Sequence, residues 1–431
     1  MLFCVTHPAT GLRNRWARAA RWRWFELLGL LLLLGLAGVA RVEGETATVF
    51  RKGPYLVFAG RDDAMTVAFQ TVRAPTNAVL EWGLAENSTD RRVLLRPFDR
   101  GQNGHRFFYT IDGLEGDKRI YYRVTVNGEA HGGSFRTPPP ADARQLTFYA
   151  FGDTRAGLLN EDRLAARIWE DMAVAPDARQ TFFLHTGDYV AVGLAERYWD
   201  TEMFTPQAAA LRRLLGHLPL LGAVGNHEGY DRRHFVEGGK INHGRIGALF
   251  RKYFPYPMYR DSRHHYYSFD YGPAHVAVLD TWSYPGKYAH EQPDAAQLAW
   301  LDQDLAATKR PWRLVLLHTP VFDWNSGDAI MQGRLAPVFE HHGVQVVVQG
   351  HEHYYAHLEV KGVTYLVLGG GGARLVNFKP QAMVPAETVR ARAVTHHFGR
   401  FEIRGDEMRI DILTPEGTLV EPPFNVPLRP Q

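Results

Sequence analysis

Two kinds of hydrophobic pattern follow one another along this 431-residue chain. Between residues 51 and 137, apolar and polar positions alternate, as in AMTVAFQT (64–71) and RIYYRVTV (119–126). Alternation of period two predicts antiparallel strands that bury one face. From residue 145 onward the apolar runs are continuous, and helical stretches such as EDRLAARIWEDMA (161–173) stand between them. Continuous runs predict strands buried on both faces, and the strand–helix alternation predicts an α/β domain.

A proline-rich segment, RTPPPADAR (136–144), separates the two patterns and is typical of a linker. We therefore predict a small all-β sandwich at residues 50–138, followed by a larger α/β domain at residues 145–415. A chain of this length can form two domains that each have a hydrophobic core.

The first forty residues have the layout of a targeting signal. Several arginines precede the apolar stretch LLGLLLLLGLAGVA (27–40), which predicts a secretory signal peptide cleaved after Ala40. The alternative is an N-terminal membrane anchor at residues 27–40, although about fourteen apolar residues are short for a full span. Both readings predict an exported protein, periplasmic or secreted, and the second adds attachment to a membrane. The only cysteine, Cys4, lies in this segment, so the mature chain would contain no disulfide.

The same segment accounts for the net charge of +3. Its five arginines and one glutamate contribute +4, which leaves −1 for residues 41–431. We therefore expect no basic surface for nucleic acid.

Five short polar blocks follow five of the apolar runs, each where a strand should pass into a loop. They are Gly152-Asp153, Gly187-Asp188, Gly225-Asn226-His227-Glu228, His318 after RLVLL, and Gly350-His351-Glu352-His353. Because α/β sheets collect functional residues at the ends of their strands, we expect these side chains to converge at one edge. Taken singly, each block is more typical of a turn or of a structural side chain. Only the five together indicate a site.

The converging groups would supply two carboxylates, one amide oxygen and three imidazoles. Carboxylate and amide oxygens are hard donors, and imidazole suits zinc, iron or manganese. The lack of cysteine donors argues against a structural zinc site, and the imidazoles argue against calcium. This inventory is typical of a hydrolytic centre with two metal ions.

In their order these blocks resemble the motifs of the calcineurin-like metallophosphoesterases, most closely those of the purple acid phosphatase branch. The resemblance runs from about Pro54 to about Ile412. It implies an α/β fold, a four-layer metallophosphoesterase-type β-sandwich flanked by helices, which makes residues 145–415 the catalytic domain. It also implies a small fibronectin-III-like sandwich before it, in which Ile120 replaces the usual corner tyrosine.

The resemblance implies a role for each residue of the blocks. It assigns two metal ions, divalent or trivalent, to six ligands: Asp153 and His353 at the first position, Asn226, His318 and His351 at the second, and Asp188 as the bridge. His227 would lie near the leaving-group oxygen as a proton donor or phosphate contact.

Two positions depart from the family pattern. Arg155 stands where many members have a histidine, and Ala191 stands where purple acid phosphatases have the tyrosine that gives their colour. The first metal therefore lacks its usual fourth ligand, for which His185, Tyr189 or water are candidates, and no purple colour is expected. Arg155 is either a contact for a substrate phosphate oxygen, since a guanidinium suits oxyanions, or a structural arginine.

The activity implied is hydrolysis of a small phosphate monoester by water that the two metals activate. One alternative is phosphodiesterase or nucleotidase action on the same core, with Trp324, Tyr354 or Tyr355 stacking a base. The other is a non-catalytic binding protein with a degenerate first metal site.

Overall fold

The computed structural model describes residues 48–86, 90–101, 104–231, 241–283, 293–325, 329–381 and 384–429. The predicted signal peptide or anchor at residues 1–40 lies outside these ranges. None of the described helices is both long and apolar enough to cross a membrane.

The first eight strands form two antiparallel sheets. Strands β1 to β8 span Phe50–Phe58, Met65–Thr71, Ala78–Gly83, Arg91–Leu94, Asp99–Gly101, Gly104–Ile111, Arg119–Val126 and Glu129–Arg136. One sheet has the order β1-β2-β6-β5 and the other β4-β3-β7-β8. Their inward positions, among them Phe69 and Val124, share one core, as a pattern of period two requires. The strands form the all-β arrangement predicted for this region, while its fibronectin-III-like character and its limits as a domain stay predictions.

The rest of the described chain is built on two larger mixed sheets. The first has the order β11-β10-β9-β19-β20-β21, formed by Leu220–Gly222, Phe183–His185, Gln145–Phe151, Phe398–Arg404, Glu407–Leu413 and Phe424–Pro427. The second has the order β12-β13-β14-β15-β17-β16-β18, formed by Tyr267–Tyr271, Ala274–Val278, Trp312–Leu316, Val346–Gln349, Val363–Leu368, Tyr355–Val360 and Val389–Ala393. Strand β21 continues the first sheet beyond the predicted boundary at residue 415.

Helices accompany both sheets. The α-helices α1 to α7 span Leu158–Val174, Pro176–Arg179, Glu196–Tyr198, Ala209–Leu215, Ala248–Tyr253, Ala295–Ala307 and Ala329–His341. A π-helical turn covers Trp199–Met203, and 3-10 turns cover His227–Gly229 and Ala386–Thr388.

Alternation along the buried strands explains how the layers stack. In β14, Leu316 belongs to the core shared with Phe151 of the first sheet, so the two sheets pack face to face. Its neighbour Val315 points to the opposite face and packs in a second core with Leu301 of α6 and Leu335 of α7. Since α1 and α4 pack together beside the first sheet, the arrangement is helix, sheet, sheet, helix. The four-layer α/β prediction is confirmed.

A partly buried ion cluster connects the small sandwich to the following α/β region. Asp200, in the π-helical turn, accepts hydrogen bonds from Arg51 and Lys52 at the start of β1. The side chain of Lys52 is 0% exposed and its ammonium lies 4.9 Å from the ring centre of Tyr253. Burial lowers the pKa of Lys52 to about 8, although the Asp200 carboxylate opposes the shift.

We expect Asp200→Ala to destabilise the fold by about 3 kcal/mol. Removing one partner of a buried ion pair typically costs about 3–5 kcal/mol. The lower end applies because the Asp200 side chain is 23% exposed and because the buried Lys52 can release its proton. The measurement is the free energy of unfolding in urea. Asp406→Ala is the matched control, because Asp406 and Arg144 are more than 70% exposed and such pairs contribute about 1 kcal/mol or less. Equal effects of the two substitutions would contradict the expectation.

Candidate metal centre

The five polar blocks lie at the carboxyl ends of neighbouring parallel strands. β9, β10 and β11 run parallel in the first sheet, and β14 and β15 run parallel in the second. Apart from Gln145, every residue of these five strands is buried. The loops that follow the strands meet at one edge of the packed sheets, which brings the predicted ligands together.

Three donors form a tight group at one end of this edge. Nε2 of His318 and Nδ1 of His351 each lie 3.1 Å from Oδ1 of Asn226. The two ring nitrogens are 3.2 Å apart, and Oδ1 of Asp188 lies 3.5 Å from Nε2 of His318. These are the residues predicted to bind the second metal ion.

The residues predicted to bind the first metal ion lie beside this group. Oδ1 of Asp153 is 3.6 Å from Nε2 of His353. Ligand atoms of Asp153, Asp188 and His318 all lie within 4.8 Å of one another, so Asp188 stands between the two positions. Oδ1 of Asp153 is buried and has no hydrogen-bond partner among the described residues. A buried carboxylate oxygen without a donor suits a cation, since buried polar atoms otherwise find a partner.

Backbone carbonyls orient two of the imidazoles. Nδ1 of His318 lies 2.9 Å from the carbonyl of Thr186, and Nδ1 of His353 lies 2.8 Å from the carbonyl of Arg374. In each ring Nδ1–H donates to the carbonyl, and Nε2 is left with its lone pair toward the cluster. Such contacts fix the tautomer that a metal ligand needs.

The backbone is strained where three of the ligands sit. Asp153, Asp188 and His351 have φ values of 59°, 56° and 69°, a left-handed conformation that non-glycine residues adopt rarely. A side chain at Gly225 would place its Cβ 2.3 Å from Oδ1 of Asp188, and one at Gly350 would lie 2.6 Å from Oδ2 of Asp153. The glycines of these blocks therefore leave room for the carboxylates. Strain of this kind concentrates at functional sites.

Burial and charge set the protonation of the carboxylates. Burial and the nearby Asp188 charge raise the pKa of Asp153. Burial also opposes ionisation of Asp188, but His318, His227 and Arg155 lower the pKa of Asp188 overall. Of the two carboxylates, Asp188 is therefore the one that ionises at the lower pH.

Burial has the opposite effect on the imidazoles. It lowers the pKa of His351 and of His353 to about 4, helped by the neighbouring His318 and Arg155 respectively. The pKa values of His318 and His227 are also lowered by burial, although Asp188 opposes both shifts. The rings are therefore neutral at pH 7, the state in which imidazole binds metal.

The calcineurin-like phosphoesterase family model matches residues 146–355, the span that holds these ligands. Residues 146–355 therefore form a calcineurin-like phosphoesterase domain. The chain is 26% identical to a purple acid phosphatase of Glycine max over 330 residues, which cover 71% of this chain and 65% of that protein. It is 25% identical to a phosphoenolpyruvate phosphatase of Allium cepa over 329 residues, covering 71% of this chain and 63% of the relative.

Two solved structures share the fold. The purple acid phosphatase PPD1 from yellow lupin seeds superposes with a TM-score of 0.66 at 18% identity, covering 87% of this chain and 74% of that one. A structure of PhoD superposes with a TM-score of 0.63 at 15% identity, covering 88% and 89%. The predicted relation to the purple acid phosphatases is confirmed by these similarities of sequence and fold. The chain spans just under two thirds of the length of the two relatives named, so the reaction that it catalyses is a proposal.

Sequence reasoning assigned no role to Glu228, which also lies in the phosphoesterase domain. Its carboxylate is buried and accepts backbone N–H groups of Asp188, Tyr189 and Gly225 at 3.0, 3.0 and 2.8 Å. It therefore ties the loop after β10 to the loop after β11. The position of this glutamate directly after Asn-His could have indicated a role at the site. Only the fold shows which backbone N–H groups donate to its carboxylate.

We expect Glu228→Gln to weaken metal binding by about 10–100-fold, the usual effect of removing a contact that orients a ligand. The amide can accept at one oxygen only, so its NH₂ group would face one of the backbone N–H donors. Isothermal titration of metal-free protein with Mn²⁺ measures the change. An affinity equal to that of the unaltered chain would show that this carboxylate does not position Asp188.

Neither side chain proposed as a replacement ligand faces the first metal position. Nδ1 of His185 accepts the N–H of Gly187 at 3.2 Å, and its Nε2 lies 3.3 Å from Oγ1 of Thr154. The hydroxyl of Tyr189 lies against Gly222 of β11, where a Cβ would approach it to 1.8 Å. Both rings are structural, which leaves water among the three candidates.

Arg155 reaches the first metal position itself. Its Nε lies 3.3 Å from Oδ2 of Asp188, and its Nη2 lies 3.4 Å from Nε2 of His353. The side chain is 27% exposed and lines an open cleft of about 350 Å³. Four of the six predicted ligands also line this cleft, and the other residues that line it are Asn325, Glu352, Val376 and Lys379.

Of the three aromatic residues near the motifs, two are closed to a base and the third has one ring face occupied. Tyr354 and Tyr355 are fully buried. The guanidinium carbon of Arg392 lies 3.4 Å from the ring centre of Trp324, and so occupies one face of that indole. The packing role of these aromatics is the better supported one.

Proposed function

We propose that this protein is a metal-dependent phosphomonoesterase that acts on small phosphate esters. One observation carries the proposal: six donors from five strand ends converge beside an open cleft, and a buried carboxylate oxygen of Asp153 among them has no hydrogen-bond donor within the part of the chain that the structure describes. The similarity to curated phosphatases supports the same reaction class.

The donors suit iron, zinc or manganese, because neutral imidazoles and carboxylates are gathered without thiolates. Asp188, Asn226, His318 and His351 would hold one ion, and Asp153, Asp188 and His353 would hold the other. Bound there, two cations would supply charge to neutralise phosphate oxygens and would make a water molecule more acidic.

His227 is the proposed proton donor. Its Nδ1 lies 2.7 Å from the carbonyl of Ala191, which directs Nε2 toward the cluster, 3.9 Å from Oδ2 of Asp188. In the neutral ring Nδ1 carries the only proton, so Nε2 can give a proton to the departing oxygen or hold a phosphate oxygen only after it has itself been protonated, which the negative charge of a bound phosphate would favour. Asp188 also accepts the backbone N–H of His227 at 2.9 Å, which links the position of the ring to the metal ligand.

Arg155 and Lys379 are the cationic side chains that line the described cleft. We assign Arg155 to the phosphate, because its guanidinium lies among the ligands, and Lys379 to the part of the substrate beyond it. Asn325 holds Lys379 in place, since its carbonyl accepts Nζ at 2.7 Å and its side-chain oxygen accepts the backbone N–H at 2.7 Å. The volume of the cleft suits a small substrate.

Metal analysis followed by paired assays tests the proposal. Protein purified without chelator is analysed for bound metals and then assayed with p-nitrophenyl phosphate and bis-p-nitrophenyl phosphate. Faster turnover of the monoester supports the proposal, whereas faster turnover of the diester would make the protein a phosphodiesterase. Bound metal without turnover of either ester would make it a binding protein.

We further propose that the enzyme works outside the cytoplasm. The arginine-rich and apolar pattern of residues 1–40 supports export. Fractionation of cells that express the full chain, with N-terminal sequencing of the recovered protein, would distinguish a cleaved signal from a membrane anchor.

A further inference from the structure

The side chain of Arg155 contacts the same atoms that the first metal ion would use. We propose that the first metal position binds its cation more weakly than the second, because this guanidinium competes for the donors, so that the centre fills in a fixed order. The inference rests on the metal centre of the proposed function but not on the identity of the substrate.

The contacts place the competition at two donor atoms. Nε of Arg155 lies 3.3 Å from Oδ2 of Asp188, and Nη2 lies 3.4 Å from Nε2 of His353. Because Nδ1–H of His353 donates to the carbonyl of Arg374, its Nε2 has a single lone pair in the plane of the ring. That lone pair can accept an N–H group or bind a metal, but not both. A cation at the first position must therefore displace the guanidinium.

The backbone keeps Arg155 beside the centre. Its N–H donates to the carbonyl of Asp188 at 3.1 Å. Oε2 of Glu202 accepts the N–H groups of Ala156 and Ala191 at 2.8 and 2.9 Å, which pins the next residue. The side chain, however, is 27% exposed toward the cleft. It can move aside without unfolding the loop, and we therefore expect weak binding and not loss of binding.

The surroundings of the second metal position differ from those of the first. Oδ1 of Asn226 and the facing nitrogens of His318 and His351 lie within 3.2 Å of one another. The oxygen of Asp188 on this side is Oδ1, whereas Arg155 contacts Oδ2. Oδ1 of Asp188 therefore faces a cluster of neutral donors, whereas Oδ2 faces the positive charge of Arg155, which competes with a metal ion.

Metal titration of the full chain tests the inference. Metal-free protein is titrated calorimetrically with Mn²⁺ and, in parallel, its metal content is measured after loading and desalting. We expect two dissociation constants that differ by at least about tenfold, since like charges this close repel strongly, and one ion per chain retained after desalting. Two equal constants in the unaltered chain would overturn the inference.

Three variants distinguish the effect of the charge at position 155 on metal binding from the effect of the shape of the side chain. Arg155→Gln should tighten the weaker site by about tenfold or more, whereas Arg155→Lys, which keeps the charge, should leave it weak. Arg374→Gln is the matched control, because Arg374 is exposed and meets His353 through its backbone carbonyl. Tightening by Arg374→Gln as large as that by Arg155→Gln would also overturn the inference, since it would indicate a general effect of net charge.

The same samples distinguish failure of the inference from failure of the proposed function. Equal affinities at the two positions with normal phosphatase activity would refute only the order of filling. Two bound ions without turnover of p-nitrophenyl phosphate would refute only the phosphatase assignment. Absence of binding at both positions would refute both.

Discussion

Asp188→Asn should lower phosphatase activity at least about 10³-fold. This carboxylate stands between the two predicted metal positions, with Oδ1 3.5 Å from Nε2 of His318 and Oδ2 3.3 Å from Nε of Arg155. Asparagine preserves the shape and can still accept the backbone N–H of His227, but it removes the negative charge that both cations would share. The loss therefore reports on charge and not on packing.

The measurement is turnover of p-nitrophenyl phosphate, together with metal content, which should fall at both positions. Circular dichroism and the unfolding midpoint confirm that the variant is folded. Asp406→Asn, at an exposed position far along the chain, controls for the loss of one carboxylate. Activity above one tenth of normal in folded Asp188→Asn protein is incompatible with a shared ligand at this position.

His227→Asn should lower turnover by about 10²–10⁴-fold and leave the metal content unchanged. The ring is held by the Ala191 carbonyl through Nδ1, and its Nε2 lies farther from the Asp188 carboxylate than the ring of His318 does. This geometry supports the proposed contact of His227 with the substrate, and the metal content of the variant tests whether the ring is also a ligand.

The leaving group shows which role His227 has. If it protonates the departing oxygen, the loss should be large with alkyl phosphates and smaller with p-nitrophenyl phosphate, whose leaving group needs little protonation. If it only holds a phosphate oxygen, both substrates should lose equally and KM should rise. His342→Asn, at a surface pair with Asp302, is the control. Loss of bound metal from the His227 variant would contradict its placement outside the ligand set.

The convergence of the ligands was predictable because it depends on the strands. Buried strands impose their direction on the loops that follow them, and parallel strands bring those loops to one edge. Asp153, Asp188 and His318 lie two or three residues beyond the ends of such strands, and their ligand atoms lie within 4.8 Å of one another, as convergence at one edge requires. Pattern and order along the chain were sufficient for this part of the site.

The direction of individual side chains was not predictable in the same way. His185 and Tyr189 stand next to ligands in the chain, yet their rings turn toward Thr154 and Gly222. The buried carboxylate of Glu228 accepts hydrogen bonds from three backbone N–H groups. Each of these directions depends on packing against residues from other strands, which no local pattern records.

The sequence by itself determined the strand pattern, the α/β class, the chemistry of the donors and the order in which they occur, because each depends on local periodicity and residue type. Only the tertiary structure decided that Arg155 reaches Asp188 and His353, and that Asp200 joins the larger domain to Lys52, 148 residues away. Contacts of this kind arise when distant segments pack together. They depend on distances of a few ångströms that hydrophobic spacing does not specify.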